Sequence, residues 1–459
     1  MNHLGISVAL QHRPELDEGF YLLARFNRAF LETAKQPISV AVERADGQMA
    51  TCHTFIHGTE ELAEADRYYI DRLVKTLLWA KGGFKIYVAG SEAIYESLKA
   101  AYSEGGSRDF DRNFMAGIFE RPFEVVQVDA VPEAKDSPKA MGGHLAGCRI
   151  GFDAGGSDRK VSAVIDGETV YSEEVVWFPK LQSDPQYHYD GIVSALKSAA
   201  SHMPRVDAVG VSSAGVYINN RTMSASLFLK VPQELQESKV RDIYIRAITD
   251  TFGDIPFEVI NDGDVTALAG TMALGEPNVL GIAMGTSEAV GYVDKSGCIT
   301  GWLNELAFVP VDCHPNAMQD EWSLDIGCGV KYFSQDSVIK LAPRAGIELN
   351  ESLSPAEKLK VVQKLMAEDS PAAADVYLTI GTYLGHTLAY YHDLYDCRHV
   401  LLLGRVMSGK GGDIILAEAL RVIADEYPEL TDKILPSLPD EKFRRVGQSA
   451  AAASLPEIK

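Results

Sequence analysis

The sequence predicts an α/β protein of more than one domain, and three observations carry that reading. With 459 residues the chain is too long for one hydrophobic core, and length alone suggests two to three domains. Two stretches, one from Ile38 and one from Cys148, open with alternating strands joined at an Asp-Gly turn and then pass into helix–strand alternation. Between them lies PEAKDSPKAMGGHLAG, rich in proline, glycine and charge, which reads as a linker.

The first stretch, 1–146, reads as an N-terminal α/β domain. Strands are predicted over 38–44 and 49–57 around Asp46-Gly47, a helix over 60–80, a strand over 84–89 and a helix over 91–103. Within DRYYIDRLVKTLLWA, the apolar residues Tyr69, Ile70, Leu73, Leu77 and Leu78 recur near three-four spacing with charges opposite. The following EGGSRDFDRNF is a polar region, and FEVVQVDAV is strand-like. The loop Ala45-Asp46-Gly47-Gln48 is short and polar, and reads as structural. From Cys148 three strands follow, two of them joined at Asp166-Gly167. Then come a helix over 189–202, a strand over 208–212, a helix over 237–252 and a strand over 257–260. Farther on, strands are predicted over 279–284 and 400–403, the latter leading through glycines into a helix from Asp413.

Charge and cysteine content narrow the function classes. A formal net charge of −21 argues against a nucleic-acid surface, which needs clustered Lys and Arg, but leaves room for the local positive pocket of a nucleotide. The six cysteines are scattered without a CxxC pair, which suits a reducing compartment. The first residues lack a basic stretch followed by an apolar one, and no 18-residue apolar run occurs. A soluble, cytoplasmic protein with no membrane partner is expected.

Five clusters bear chemistry. In IGFDAGGSDRK, a strand ends at Asp153 and runs into Gly155, Gly156 and Ser157. Glycine lets the main chain approach a phosphate, whose oxygens then meet free N–H groups, and Asp153 could hold a water on Mg²⁺. The same residues also suit an ordinary hairpin. In FEVINDGDVTALAG, a strand leads to Asn261 and Asp262 at the head of a helix. A carboxylate there can take a proton from a bound hydroxyl and Asn261 can orient it, while helix capping by Asp262 or Asp264 is the plainer reading. Gly285 and Thr286, between two strands, offer either a second phosphate contact or a plain turn. Glu305 follows a glycine-bearing turn in GWLNELAF. In RHVLLLGRVMSGKGGDIILAEAL, a buried strand, Gly404 and a glycine loop open onto a helix, a seat for a nucleotide. Neither a Walker A loop nor an early GxGxxG is present.

Taken in this order, the clusters in residues 148–459 resemble the ROK family of sugar kinases and repressors, within the hexokinase, actin and Hsp70 superfamily. The resemblance implies two ribonuclease-H-like lobes around a cleft, the actin-like ATPase fold, with 1–146 as an extra domain. Lobe I would span about 147–262 plus a C-terminal helix at about 440–459, and lobe II about 263–439. It implies Asp262 as the base that deprotonates a sugar hydroxyl, with Asn261 and Glu305 as sugar contacts. Asp153, Gly155, Gly156 and Ser157 would form the first phosphate loop, Gly285 and Thr286 the second, and Gly404 the adenosine site. ATP and Mg²⁺ are the implied cofactors, with Asp153 meeting the metal through water or phosphate. A sugar is the implied partner and a homodimer is left open. A non-catalytic sugar or nucleotide sensor and a sugar-independent ATPase are the competing functions.

Four departures from the family pattern stand out. The second phosphate loop continues as Ser287-Glu288 instead of further glycine, and Phe308 stands where the family has a histidine. Of the family's zinc knot only Cys313, His314 and Cys328 are candidates, without a fourth ligand, so no structural zinc is expected. The helix-turn-helix of ROK repressors has no counterpart in the strand-containing first 146 residues, so DNA binding is not expected.

Overall fold

The protein is described here by a computed structural model covering residues 2–138, 141–440, 443 and 447–458. The chain divides into two compact units. The first comprises Met1–Ser137, Ile282–Val290 and Gly301–Leu438, and the second Pro138–Gly281, Gly291–Thr300 and Pro439–Lys459.

The second unit is built on a five-stranded sheet with the order Phe257–Asn261, Ala208–Ser213, Cys148–Ala154, Asp158–Ile165 and Glu168–Val176. The first three strands are parallel, so their C-terminal ends share one edge, and the last two turn back antiparallel. Asp166 and Gly167 take φ of 49° and 86°, the left-handed pair a tight two-residue hairpin requires. Helices Pro185–Ala200 and Ile243–Phe252 cover one face over Ile150, Phe152, Val209, Val211 and Val259. The start expected at 237 is a single π turn, Gln236–Val240, ahead of the regular helix.

Helices Asp262–Leu274 and Gln448–Ala453 lie on the other side, joined through Val265, Leu268 and Ala452. The C-terminal helix sits flush on the strands. A Cβ at Gly151 would fall 1.6 Å from the Ser449 carbonyl oxygen, and one at Gly210 would fall 1.7 Å from that of Ala452. Glycine is therefore demanded at both positions by close backbone approach.

The first unit holds one four-stranded sheet and most of a second, two of whose strands begin or end in residues of the second unit. One has the order Met49–Ile56, Gln36–Glu43, Lys85–Ala89 and Glu124–Gln127, carrying helices Ala63–Lys81 and Glu92–Ala101. The polar region after it folds as a helix, Asp109–Phe119. Its acidic residues sit in the first turn, where they oppose the helix dipole, and Arg112 closes onto Asp109 at 2.7 Å. The other sheet has the order Glu288–Val293, Val279–Met284, His399–Leu403 and Leu435–Ser437. Helix Pro371–Tyr395 is buried along most of its length and meets helix Lys410–Glu426 closely at Gly381 and Gly385. No helix among the described residues is long and apolar enough to cross a membrane.

The boundaries differ from those expected. Residues 1–137, which carry a four-stranded sheet of their own, share a compact unit with 301–438. A buried ionic cluster explains the joining. Lys75 Nζ lies 3.0 Å and Arg108 Nη1 2.7 Å from Asp325 Oδ2, while Trp79 Nε1 donates to Asp111 at 2.8 Å. Lys75 is fully buried, and a buried charge stripped of its partner is costly, so these segments hold together. Nearer the N-terminus, the N–H groups of Gln11 and His12 both donate to Glu426 Oε1, at 2.6 and 2.8 Å. The boundary expected at 262 falls instead after Gly281, because helix Asp262–Leu274 belongs with the second unit. There Gly291 lies against Gly263 so closely that a Cβ would stand 2.0 Å from its carbonyl.

Candidate functional site

In the second unit, three parallel strands end in polar residues held in register. Asp153 pairs with Ser212, and Ser213 pairs with Asn261, after which Asp262 opens its helix. The Ser212 hydroxyl donates to Asp153 Oδ1 at 3.0 Å. Burial pushes the Asp153 carboxyl up to about 6, with the Ser212 hydrogen bond restraining the rise and the Asp262 charge adding to it. Asp262 keeps part of its surface open, yet protein atoms crowd its carboxyl and burial raises its pKa. Hydrogen bonds from the backbone N–H groups of Gly263 and of Asp262 itself oppose that rise, as does the charge of Lys180. Gln448 bridges the two strand ends, donating to Ser212 Oγ at 3.0 Å and to the Asp262 carbonyl at 2.9 Å.

Capping of this helix falls to Asn261, whose Oδ1 accepts from Gly263 N at 2.7 Å. Its Nδ2 donates to the Gly215 carbonyl at 2.8 Å, so the amide expected to orient a substrate is largely committed within the protein. Asp264 is buried and accepts from Tyr292 N at 3.0 Å, a structural role. Asp262 stays half-buried, with its Oδ1 accepting from Gly263 N at 3.0 Å.

The loop after Asp153 exposes Gly156 and Ser157. Trp177 holds it from the side: its indole donates to the Gly155 carbonyl at 2.8 Å and its N–H to the Ser157 carbonyl at 3.1 Å. Three residues on, Lys180 crosses the loop, so that a Cβ on Gly156 would meet its Cε at 2.9 Å and its Nζ at 3.2 Å. The glycines thus leave the main chain open to an anion beside a carboxylate and an ammonium. The described residues contain no group of three His, Cys, Asp or Glu side chains that could hold a metal. This donor set fits Mg²⁺ only in the manner of a phosphate-borne ion, with Asp153 reaching it and water and phosphate oxygens completing the shell.

In the first unit, Gly285 and Thr286 form an exposed turn after strand Val279–Met284, closed by a 3.0 Å bond from Gly285 N to the Ser287 carbonyl. Gly404 lies directly against it. With φ of 93°, its Cβ would stand 2.2 Å from the Met284 carbonyl oxygen, so the second expected phosphate loop and the expected adenosine loop are brought together. Glu288 does not face that turn: it is 3% exposed, and Tyr391 donates to its Oε1 at 3.3 Å. Burial, with the nearby Glu305 charge adding to it, pushes its carboxyl up to about 8, so it is mostly neutral at pH 7.

Glu305 sits in a segment moored to the end of helix Ala63–Lys81. The N–H groups of Asn304 and Glu305 donate to the carbonyls of Ala80 and Trp79, at 2.9 and 3.0 Å. Phe308 packs on the Trp79 ring, centroids 4.2 Å apart, beside Phe110 and Phe114. Phe308, expected to stand in the place of a family histidine, is therefore part of an aromatic cluster with the N-terminal segment. Cys313 and Cys328 are buried thiols, both pushed up by burial, Cys328 to about 12.

Reading the sequence alone missed Ser212, Trp177, Lys180, Gln448 and Trp79. Ser212 lies in a strand that was recognised, so a polar residue at its end was an available signal. The others reach their places through long-range packing.

No protein-family model and no curated protein matches the chain. Among solved structures, it is similar to a ROK hexokinase from Thermus thermophilus at 18% identity and a TM-score of 0.52, over 67% of this chain and 97% of that one. It is similar to a ROK family transcriptional regulator, a homologue of the E. coli MLC protein, at 16% identity and a TM-score of 0.51. That likeness covers 68% of this chain and 79% of the regulator. The chain therefore has the α/β fold of ROK proteins, and about a third of it lies outside the likeness.

Proposed function

We propose that this protein belongs with the ROK sugar kinases and transfers the γ-phosphoryl group of ATP to a sugar hydroxyl, with Asp262 as general base. The observation that carries this reading is the convergence of Asp153, the open Gly155–Ser157 loop and the Asp262 carboxyl at one edge of a parallel sheet. Asp262, held less acidic than a free carboxylate, accepts the hydroxyl proton as the oxygen attacks phosphorus. The oxygen–phosphorus bond forms as the bond to the ADP oxygen breaks, and the leaving pair stays on ADP. Gly155, Gly156 and Ser157 present main-chain N–H groups to phosphate oxygens, and Gly285, Thr286 and Gly404 are proposed as nucleotide contacts of the first unit. Mg²⁺, when bound, neutralises phosphate charge, and Asp153 is the residue of this chain that meets it.

Glu305 is proposed as the sugar contact, positioned by Trp79 and Ala80 through their carbonyls. In this reading Met1–Ser137 builds the sugar-recognition side. Partners are a sugar and a nucleotide, in the cytoplasm, without nucleic acid.

The test is ADP release and phosphosugar formation from ATP·Mg²⁺ across a sugar panel. Asp262→Asn is expected to abolish transfer while nucleotide still raises the melting temperature. Full turnover by that variant would remove Asp262 from the mechanism. A second reading, a sugar-binding sensor without catalysis, is supported by the comparable fold likeness to a regulator. Sugar-dependent stabilisation with no phosphosugar from any panel member would favour it.

A further inference from the structure

We propose that Lys180 is the cation that neutralises the phosphoryl group in transit, carried over the Gly155–Ser157 loop by the segment that Trp177 begins. This inference rests on the kinase reading for its chemistry, but its geometry is independent of it. Lys180 belongs to a short turn, Pro179–Leu181, which follows the edge strand Glu168–Val176 and returns across the loop.

Four hydrogen bonds fix that return. Trp177 binds the Gly155 and Ser157 carbonyls, and His188 Nε2 stands 3.0 Å from the Pro179 carbonyl and 3.1 Å from that of Leu227. His188 is fully buried, so the anchor is part of the core and not a surface contact. Loop and lysine are in effect one construction, with the ammonium 3.2 Å from the point where Gly156 lacks a Cβ.

An ordinary surface lysine would extend into water or pair with a carboxylate. Lys180 is exposed but makes no salt bridge with any described residue, and its ammonium reaches over bare main chain close enough to influence Asp262. A phosphate oxygen drawn to the N–H groups of this loop would find the ammonium beside it. As the hydroxyl oxygen bonds to phosphorus and the bond to ADP breaks, negative charge shifts across the transferred group. A fixed cation stabilises that redistribution without moving a proton. The glycine at 156 then has a second purpose: any side chain would push the lysine off the loop.

The test compares Lys180→Met, Lys180→Arg and, as an exposed control, Lys230→Met in the full-length protein. Calorimetric titration with ATP and with ADP, both with Mg²⁺, is expected to show wild type preferring ATP. Lys180→Met loses about tenfold of that preference while its ADP affinity is unchanged, and Lys180→Arg keeps most of it. On the phosphorylated sugar, Lys180→Met lowers kcat by about 10²–10³-fold with the sugar KM within about threefold. The acid limb of its pH–rate profile moves upward, because Asp262 has lost a neighbouring cation.

If the ATP preference disappears but no sugar is phosphorylated even by wild type, the lysine assignment stands and the kinase reading falls. Unchanged ATP preference and kcat in Lys180→Met overturn the lysine assignment while leaving the kinase reading intact. Failure of wild type to bind either nucleotide overturns both.

Discussion

The Asp153 loop of the second unit and the Glu305 segment of the first are held in different ways. The loop hangs from strand ends, with an exposed Gly156, a half-buried Asp153 and an indole gripping its carbonyls. The Glu305 segment hangs from the carbonyls of a helix end, and its next aromatic residue is sealed into a cluster of rings. One is arranged so that backbone stays available to a ligand, the other so that a neighbouring segment dictates its course. On the kinase reading proposed above, the phosphate-binding loop stays generic while recognition is rebuilt by residues supplied from elsewhere in the chain, here helix Ala63–Lys81.

If that contrast is sound, damage to the two regions should read out differently. The largest effect is expected from Asp262→Asn, which should cost about 10²–10⁴-fold in turnover with the melting temperature nearly unchanged, measured by ADP release and calorimetry. Trp79→Ala should do the opposite first. Loss of a buried indole that packs on Phe308 and bonds Asp111 is expected to cost about 3–5 kcal/mol in urea unfolding. Sugar affinity should weaken with it as the Glu305 segment loosens, while nucleotide affinity holds. Equal loss of nucleotide affinity would break the separation between the regions.

A smaller effect is expected from Gly210→Ala. The Ala452 carbonyl occupies the space of the new methyl group, so overpacking should cost about 1–3 kcal/mol. Hydrogen exchange should show it first in residues 448–453, and protection unchanged there would contradict the flush packing.

Glu288→Gln should matter only through pH. With the folded carboxyl at about 8 and the unfolded one near 4.5, the native state holds the extra proton between those values. Stability from this group is full below about pH 4.5 and is lost as pH rises through about 8. The glutamine variant should therefore gain on wild type in melting temperature as pH rises from 5 to 8. A difference independent of pH would mean that Glu288 is ionised throughout.

Much of the second unit was legible in the sequence because local rules decide it. The Asp166-Gly167 turn follows from the left-handed φ those residues tolerate, and the strand into Asp153 follows from its apolar run. The misreadings are those that local patterns cannot reach. Helix Asp109–Phe119 was taken as a polar region because its charges hide an apolar face that only Trp79 reveals. Helix Pro371–Tyr395 is buried on nearly every side, so it lacks the amphipathic period that announces a surface helix. Glu288 stood out in sequence as a departure from the glycine pattern, and strand pairing is what turns it into the core. Lys180 was passed over because nothing within its own stretch points to Gly156. Asp325, which binds the early segment to the later one, was equally silent, its partners lying far back in the chain.

The two glycines under helix Gln448–Ala453 carry a consequence for how the protein is made. The sheet that bears Asp153 is complete in its strands once residue 261 has formed, yet the part of one face around Gly151 and Gly210 stays bare until a helix arrives from beyond the whole 301–438 segment. During synthesis this half must therefore wait, its backbone uncovered, while the other half is laid down. Such long-range closure slows folding and lengthens the time an exposed sheet is open to wrong partners. Assembly order, as much as final geometry, would then govern how much active protein a cell obtains.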